Sequence, residues 1–449
     1  MESAQGEDPA SAEVGKAARK RAARSELGKW EAAGDREDPI AILERQAATR
    51  LPQLVPIRYG RMAAGRFPFY RGAPAIMAAD LAAGPDTGLT VQLCGDAHLS
   101  NFGLFASPER SLVFDVNDFD ETLPGPFEWD VKRLVASVAV AAQANGHTDS
   151  EATAAATAAA LGYRETMDRL AGLGETEVWY EMVDAEKAAE LLSPRDRKRT
   201  EKIITKAKSR TSLHALDKLT EPGPDGEPRI AEDPPLLMRL PDVERTPLEA
   251  VLTDYRTSLP EERRILLDRF EIHDYAMKVV GVGSVGTRCF IALLTGRSLG
   301  DPLFLQVKQA EESVLAPYLR SSIFRHQGHR VVHGQRLTQS AADIFLGWAT
   351  GPDGLFYYWR QLRDMKGSLA IDDMSPEELC QYAQLCGYTL ARGHARSGDR
   401  VAIAAYLGSG DVFDSAMGEF ALAYAAQTEA DYQALTAAID SGRITAEQA

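Results

Sequence analysis

Cysteine is scarce in this chain, long apolar runs are missing, and positive charge is outweighed by negative. Four cysteines, Cys94, Cys289, Cys380 and Cys386, are scattered over 449 residues. They are too few for a disulfide scaffold, and no pair has the C-x-x-C spacing of a zinc site, so they read as reduced core residues. No uncharged apolar stretch is long enough to span a bilayer, and the N-terminus has no apolar export segment. The expected location is therefore the cytoplasm, with no membrane partner. The formal net charge of -15 excludes general nucleic-acid binding by long-range repulsion. A nucleotide with magnesium remains compatible, because a local basic pocket overrides the overall field. There is no internal repeat or heptad pattern, and the sequence leaves the oligomeric state open.

What is present is a globular composition, 45% hydrophobic and 26% charged, sufficient for a few domains or one two-lobed enzyme. Residues 1–40 carry almost no large apolar side chains and predict a disordered charged leader. Strands are expected at 89–94 and 112–116, and alanine-rich helix over 129–173. A basic helix is expected over 194–219, and an exposed Pro/Gly/Asp-rich loop at 221–235. Further strands are expected at 276–285, 289–294, 303–307, 330–337 and 356–362. Helices are expected over 73–81, over 376–395 and from 413 onward.

The first chemical cluster lies between two expected strands. Gly95-Asp96-Ala97-His98-Leu99-Ser100-Asn101 puts an Asp five positions before an Asn, as a phosphoryl-transfer loop requires. There the carboxylate takes the proton of an attacking hydroxyl and the amide oxygen reaches a metal. Beyond the next strand come Asn117-Asp118-Phe119-Asp120-Glu121, carboxylates at a strand end where a hard cation can be held. Asp, Asn and Gly are also ordinary turn residues. Against that bland reading, so many carboxylates repel one another unless a cation or a shared proton is present.

A second cluster, Gly281-Val282-Gly283-Ser284-Val285-Gly286, fits G-x-G-x-x-G. An expected strand follows it instead of a helix, which favours a kinase-type glycine loop over a dinucleotide-binding turn. The next strand ends in Lys308, placed to contact phosphates; an isolated strand lysine is otherwise an edge charge. Glu311 and Glu312 are the nearest acids, and Glu312 is the weak candidate for its partner. The strand over 357–363 leads to a hinge expected to meet an adenine. Arg71 is a candidate phosphate clamp or a structural ion pair. The basic segment 195–210 reads mainly as a solvated helix face.

Gly-Asp-x-His-x-x-Asn followed by a strand ending in Asp resembles the catalytic and metal-binding loops of aminoglycoside phosphotransferases and other kinase-like enzymes. Nearly the whole chain resembles the bacterial family DUF2252, through residues 67–72, 94–103, 114–121, 280–286, 361–368 and 394–399. The family likeness brings no established reaction.

The kinase-like resemblance implies Asp96 as base, His98 as a brace, and Asn101, Asp118 and Asp120 around Mg2+. It also implies Asp130 as a structural carboxylate, and Gly281, Gly283, Ser284, Gly286, Lys308 and Glu312 around ATP. The implied fold is α+β, two-lobed and kinase-like, with extra helices. It is circularly permuted, because the catalytic-type loop precedes the glycine loop. The expected regions are the leader at 1–40, a catalytic-loop and helical region at 41–245, a glycine-loop region at 246–368, and C-terminal helices at 369–449. The expected activity is ATP- and magnesium-dependent phosphotransfer to an unknown hydroxyl on a small molecule or protein, with nucleotidyl transfer to a protein as a variant. The rivals are a metal-dependent hydrolase using Asp96, His98, Asp115, Asp118 and Asp120, and a nucleotide-binding pseudokinase acting through partners.

Overall fold

The structure, a computed structural model, describes residues 9–190, 194–224, 226–239, 245–279, 281–351, 354–362 and 365–448. The chain opens with α1 (Pro9–Arg21), α2 (Pro39–Ala47), α3 (Val55–Ala63), α4 (Arg66–Gly72) and α5 (Pro74–Ala82). Next come β1 (Thr90–Leu93), β2 (Phe102–Ala106), β3 (Leu112–Val116), β4 (Leu123–Pro126), α6 (Phe127–Ala144) and α7 (Asp149–Ala171). Short elements follow: α8 (Glu175–Tyr180), β5 (Val183–Asp184), α9 (Ala185–Glu190), α10 (Pro194–Lys208), α11 (Ser212–Leu219), β6 (Thr220–Pro222), β7 (Pro228–Ile230), β8 (Leu237–Arg239), α12 (Arg245–Thr257) and α13 (Glu261–Leu267). The chain continues through β9 (Glu271–Lys278), β10 (Cys289–Thr295), β11 (Pro302–Gln309), α14 (Gln327–Thr338), β12 (Gly347–Thr350) and β13 (Phe356–Gln361). It ends in α15 (Pro376–Ala395), α16 (Arg400–Leu407) and α17 (Val412–Asp440). The fold is mixed α+β.

The helical region is built around α6. Its Val, Leu and Ala residues point in all directions and almost all are buried, as expected of a helix enclosed by neighbours. α7 and α17 lie along α6, and α15 along α7, so both ends of the chain complete one core. Their N-termini are set by reciprocal caps, Thr148 with Glu151 for α7 and Ser375 with Glu378 for α15. A methyl group at Gly387 would collide with the Ala159 carbonyl, so α7 and α15 meet backbone to backbone.

The second region is an antiparallel sheet in the order β12-β13-β11-β10-β9-β8. Its register sets Lys308 opposite Cys289 on one side and Tyr358 on the other. Cross-strand partners share a face, so these three side chains point together toward the helical region. α14 packs over β12 and β13. Two small ladders, β1 with β4 and β2 with β3, support the loop between β1 and β2.

Four expectations are corrected. Residues 1–8 lie outside the described residues, and the rest of the supposed leader is ordered. Arg19 Nε of α1 donates to the Tyr406 carbonyl at 2.9 Å, and Ala18, Ala22 and Leu27 are buried. Small residues replace bulk there: Gly15 and Gly28 lie directly against the backbone of Ala402 and Ala416. The strand expected at 330–337 is instead the helix α14, where the β-branched pair Val331 and Val332 is buried on a helical face. The strand expected at 276–285 ends at Lys278; Val280 lies outside the described residues, and a loop follows. The expected loop at 221–235 contains the β6–β7 hairpin. Among the described residues, no helix is long and apolar enough to cross a membrane.

Candidate functional site

The loop between β1 and β2 is held from beneath by the first turn of α6. Asp130 accepts hydrogen bonds from the amides of Cys94 (2.7 Å) and Gly95 (3.0 Å). His394 Nε2 lies 3.2 Å from the same carboxylate, and its Nδ1 lies 2.9 Å from Tyr163 Oη. Gly95 has a φ of +89°, and a Cβ there would meet Glu121, so glycine is required at the turn that presents Asp96.

Asp96 accepts from Arg133 Nε at 2.8 Å, and that guanidinium stacks over the Tyr70 ring at 3.8 Å. Burial pushes the Asp96 carboxyl up to about 6 even against the attraction of Arg133. His98 Nε2 is 3.6 Å from Asp96. Burial and the nearby Arg71 and Arg133 hold His98 well below its usual range, which keeps it neutral. Asn101 Nδ2 donates to the Asp96 carbonyl at 2.7 Å, closing the loop and leaving its Oδ1 for another partner. Tyr382 Oη donates to the Leu99 and Phe102 carbonyls on either side.

The acidic loop after β3 faces the sheet. Lys308 Nζ lies 3.2 Å from Asp118 and 2.9 Å from Asp120. Burial alone lowers a lysine, but the two carboxylates outweigh it and hold Lys308 charged. Asp120 also accepts from Tyr358 Oη at 2.5 Å and from Ser284 Oγ at 3.3 Å. Glu121 accepts from the Val314 amide at 2.7 Å, and burial pushes its carboxyl up to about 7. Asp115 is sealed away: it pairs with Arg392 at 2.7 Å and accepts from Ser340 Oγ at 2.7 Å.

The glycine loop closes the other side and is tied to the N-terminal helices. Arg61 donates to the Gly281 carbonyl at 2.6 Å, Arg50 to the Val285 carbonyl at 2.5 Å, and the Leu51 amide to the Gly286 carbonyl at 2.8 Å. Between this loop and the acidic loop lies a cavity of about 330 Å³. Asp96, His98, Asn101, Asp118, Asp120, Gly281, Gly283, Ser284 and Glu312 all line it. Lys308 sits behind Asp118 and Asp120, and Gly286 is set back in its bond to Leu51.

One assignment is corrected. The partners of Lys308 are Asp118 and Asp120, while Glu312 is exposed beyond the end of β11. The reason lies in the register: Lys308 points into the acidic loop, and residues after the strand cannot turn back beneath it. Sequence reasoning also missed Arg133, Tyr358 and Arg330. Arg133 left one signal, a charged residue three positions after Asp130 and beside Lys132, just before the helix turns apolar. Arg71 lines the cavity with its Nε unpartnered, and Lys208 of the basic segment pairs with Glu186.

Among the described residues, no three His, Cys, Asp or Glu side chains form a ready-made metal cluster. The donors present, the Asp118 carboxylate and the Asn101 Oδ1, suit a hard cation that takes its other ligands from phosphate and water. No curated protein and no solved structure matches the chain. The family described as "Uncharacterized protein conserved in bacteria (DUF2252)" matches residues 50–438, which take in both loops, the glycine loop and Lys308; the chain belongs to that family.

Proposed function

We propose that this protein is an ATP- and magnesium-dependent phosphotransferase that moves a phosphorus-containing group of ATP to a hydroxyl-bearing acceptor. The observation carrying the reading is the pairing of Lys308 with Asp118 and Asp120, 190 and 188 residues away in sequence. It sets a strand-end lysine directly behind the cavity that the glycine loop and the Asp96–Asn101 loop line. In this reading the sheet with α14 is the nucleotide-covering lobe of a permuted kinase-like fold, and helices from both chain ends form the other lobe. One departure is clear: α14 carries no Asp or Glu, so the lysine takes its carboxylates from the acidic loop.

Asp96, held near 6, takes the proton of the acceptor hydroxyl. Asp118 and Asn101 Oδ1 hold the cation, while Asp120 orients Lys308 toward the phosphates. The backbone of residues 281–286 covers them. Magnesium, when bound, offsets the charge on the transferring group. The hydrolase reading fits less well, because Asp115 is paired with the buried Arg392 and does not line the cavity. Turnover distinguishes an enzyme from a pseudokinase.

The test is calorimetric titration with ATP, with and without Mg2+. Saturable binding that requires the metal is expected, and Asp118→Asn should weaken it roughly tenfold or more, because it removes the charge that offsets cation dehydration. A folded wild-type chain that binds no Mg–ATP sinks the reading.

A further inference from the structure

We propose that the wall this cavity receives from the N-terminal helices is an anion site, where Arg50 and Arg71, with Arg58 behind them, hold a phosphate-class oxyanion apart from Lys308. The function proposed above gives these arginines no part, and the site does not depend on it.

The three arginines come from one run of short helices. Arg50 precedes α3, Arg58 lies on α3, and Arg71 stands in the last turn of α4. Arg58 is fully buried; it donates to the Gly72 carbonyl at 2.8 Å and to Oε1 of Gln46, a residue of the cavity wall, at 2.9 Å. Arg50 stands close enough that its repulsion adds to burial in pulling Arg58 down to about 9. Both lining arginines flank the glycine loop. Arg50 donates to the Val285 carbonyl, and a Cβ on Gly283 would lie 3.5 Å from the Arg71 carbonyl oxygen.

Buried cations are normally accompanied by carboxylates, and elsewhere in this molecule they are. Arg133 bonds Asp96, Arg392 bonds Asp115, and Lys308 bonds Asp118 and Asp120. Among the described residues, no carboxylate bonds Arg50, Arg58 or Arg71. Glu311, Glu121 and Asp120 act on Arg50 only from a distance, as Asp96 and Asp372 do on Arg71. Asp96 and Asp120 are already engaged by Arg133 and Lys308, and burial pushes Glu121 up to about 7, so none of these supplies a full counter-charge.

The unpartnered donors fall on the same wall. Arg50 Nε, Arg71 Nε and His98 Nδ1 are buried, bond nothing, and belong to residues that line the cavity. Arg58 Nε and Nη1 behind them are unpartnered as well. A buried donor without an acceptor is costly, and a buried cation without a counter-ion costs more. An oxyanion supplies both at once, and the planar arginine fork matches two of its oxygens. Neutral His98, with its proton on Nδ1, adds a further donor. Three cations exceed the charge of one carboxylate, which favours a doubly charged phosphate group. Arg396 also keeps an unpartnered Nε, but it does not line this cavity.

The experiment titrates the full chain calorimetrically with inorganic phosphate and with pyrophosphate, at fixed ionic strength and without nucleotide. Saturable binding of at least one is expected. Arg71→Met should weaken it roughly tenfold or more, the worth of a charge-assisted hydrogen bond. Arg71→Lys, which keeps the charge and loses the fork, should lie between. The Arg71 side chain bonds no described residue, so Arg71→Met should melt no lower than wild type, where loss of a structural arginine would lower the melting temperature. Arg45 lines the same cavity but is paired with Glu37, so Arg45→Met should leave anion binding unchanged. Wild-type protein that binds neither anion overturns the proposal, as does binding that Arg71→Met leaves intact. The Mg–ATP titration decides the proposed function separately. Repeating the phosphate titration on protein saturated with Mg2+ and a non-hydrolysable ATP analogue identifies the source of the oxyanion. Retained binding assigns the site to a phosphate-bearing acceptor, and lost binding assigns it to the nucleotide's own phosphates; either result supports the site.

Discussion

Asp96 is pulled in two directions, by burial toward the neutral acid and by Arg133 toward the carboxylate, and burial prevails with the group near 6. A base must be ionised to accept a proton, so turnover should fall about tenfold per pH unit below about 6. Asp96→Asn keeps size and shape but cannot take the proton. It should lower turnover by roughly 10²–10⁴-fold, abolish that acid limb and leave Mg–ATP affinity nearly intact. Calorimetry and a pH–rate profile on the variant check all three, and unchanged turnover would reduce Asp96 to a turn residue. At this scale the sequence was most legible where the candidate site is local: Asp96, His98 and Asn101 fall within six positions, and Asp118 follows one hairpin later. It was least legible where partners meet from afar. Arg133 reaches Asp96 across 37 positions and Tyr358 reaches Asp120 across 238, and no local pattern encodes either contact.

Elements with strong end signals were readable almost to the residue. α15 begins after the Ser375–Glu378 box with Pro376 in its first turn, and the expected span 376–395 is the observed one. α14 was misread because Val331-Val332 is equally at home in a strand, and its helical face shows only in its packing over β12 and β13. The more consequential element is α6, whose first turn acts on a loop instead of its own helix. Asp130→Ala leaves the buried amides of Cys94 and Gly95 without acceptors, at about 1–3 kcal/mol each. The expected result is a clear drop in melting temperature together with a loss of turnover, because the Asp96 loop is no longer held. Mg–ATP affinity should change by less than about fivefold, since the proposed phosphate contacts are elsewhere. Asp130→Asn, with one acceptor oxygen remaining, should fall between. Wild-type melting of the alanine variant would show that the loop holds itself.

At the scale of the whole molecule, one short segment carries many of the bonds between the two regions. Ser340 and Gln339 bond Asp115 and the Val116 carbonyl, Arg360 bonds the Asn117 carbonyl, and Lys308 bonds Asp118 and Asp120. Arg330 completes the set: it donates to the Thr122 carbonyl at 2.6 Å, to Asp120 at 2.9 Å and to Glu311 on the sheet side at 2.8 Å. Both motif groups were visible in the sequence and were expected at one cleft, but the side-chain pairs that dock them were not, because they join residues far apart in the chain. Arg330→Met keeps the buried stem but strands three carbonyls at once. That should destabilise the protein by about 2–4 kcal/mol and separate the melting of the sheet from that of the helical core. In the proposed function, Mg–ATP would lie between the two regions and act on the same joint. At about a hundred times its dissociation constant it should return about 2.7 kcal/mol and restore a single transition. Arg330→Lys, able to satisfy one carbonyl, should lie between the two. Calorimetric scans of the three proteins with and without Mg–ATP decide the matter. If Arg330→Met melts in one step at the wild-type temperature, the segment 115–122 is not the joint, and the coupling of the two regions must be sought along the cavity walls formed by α2 and the glycine loop.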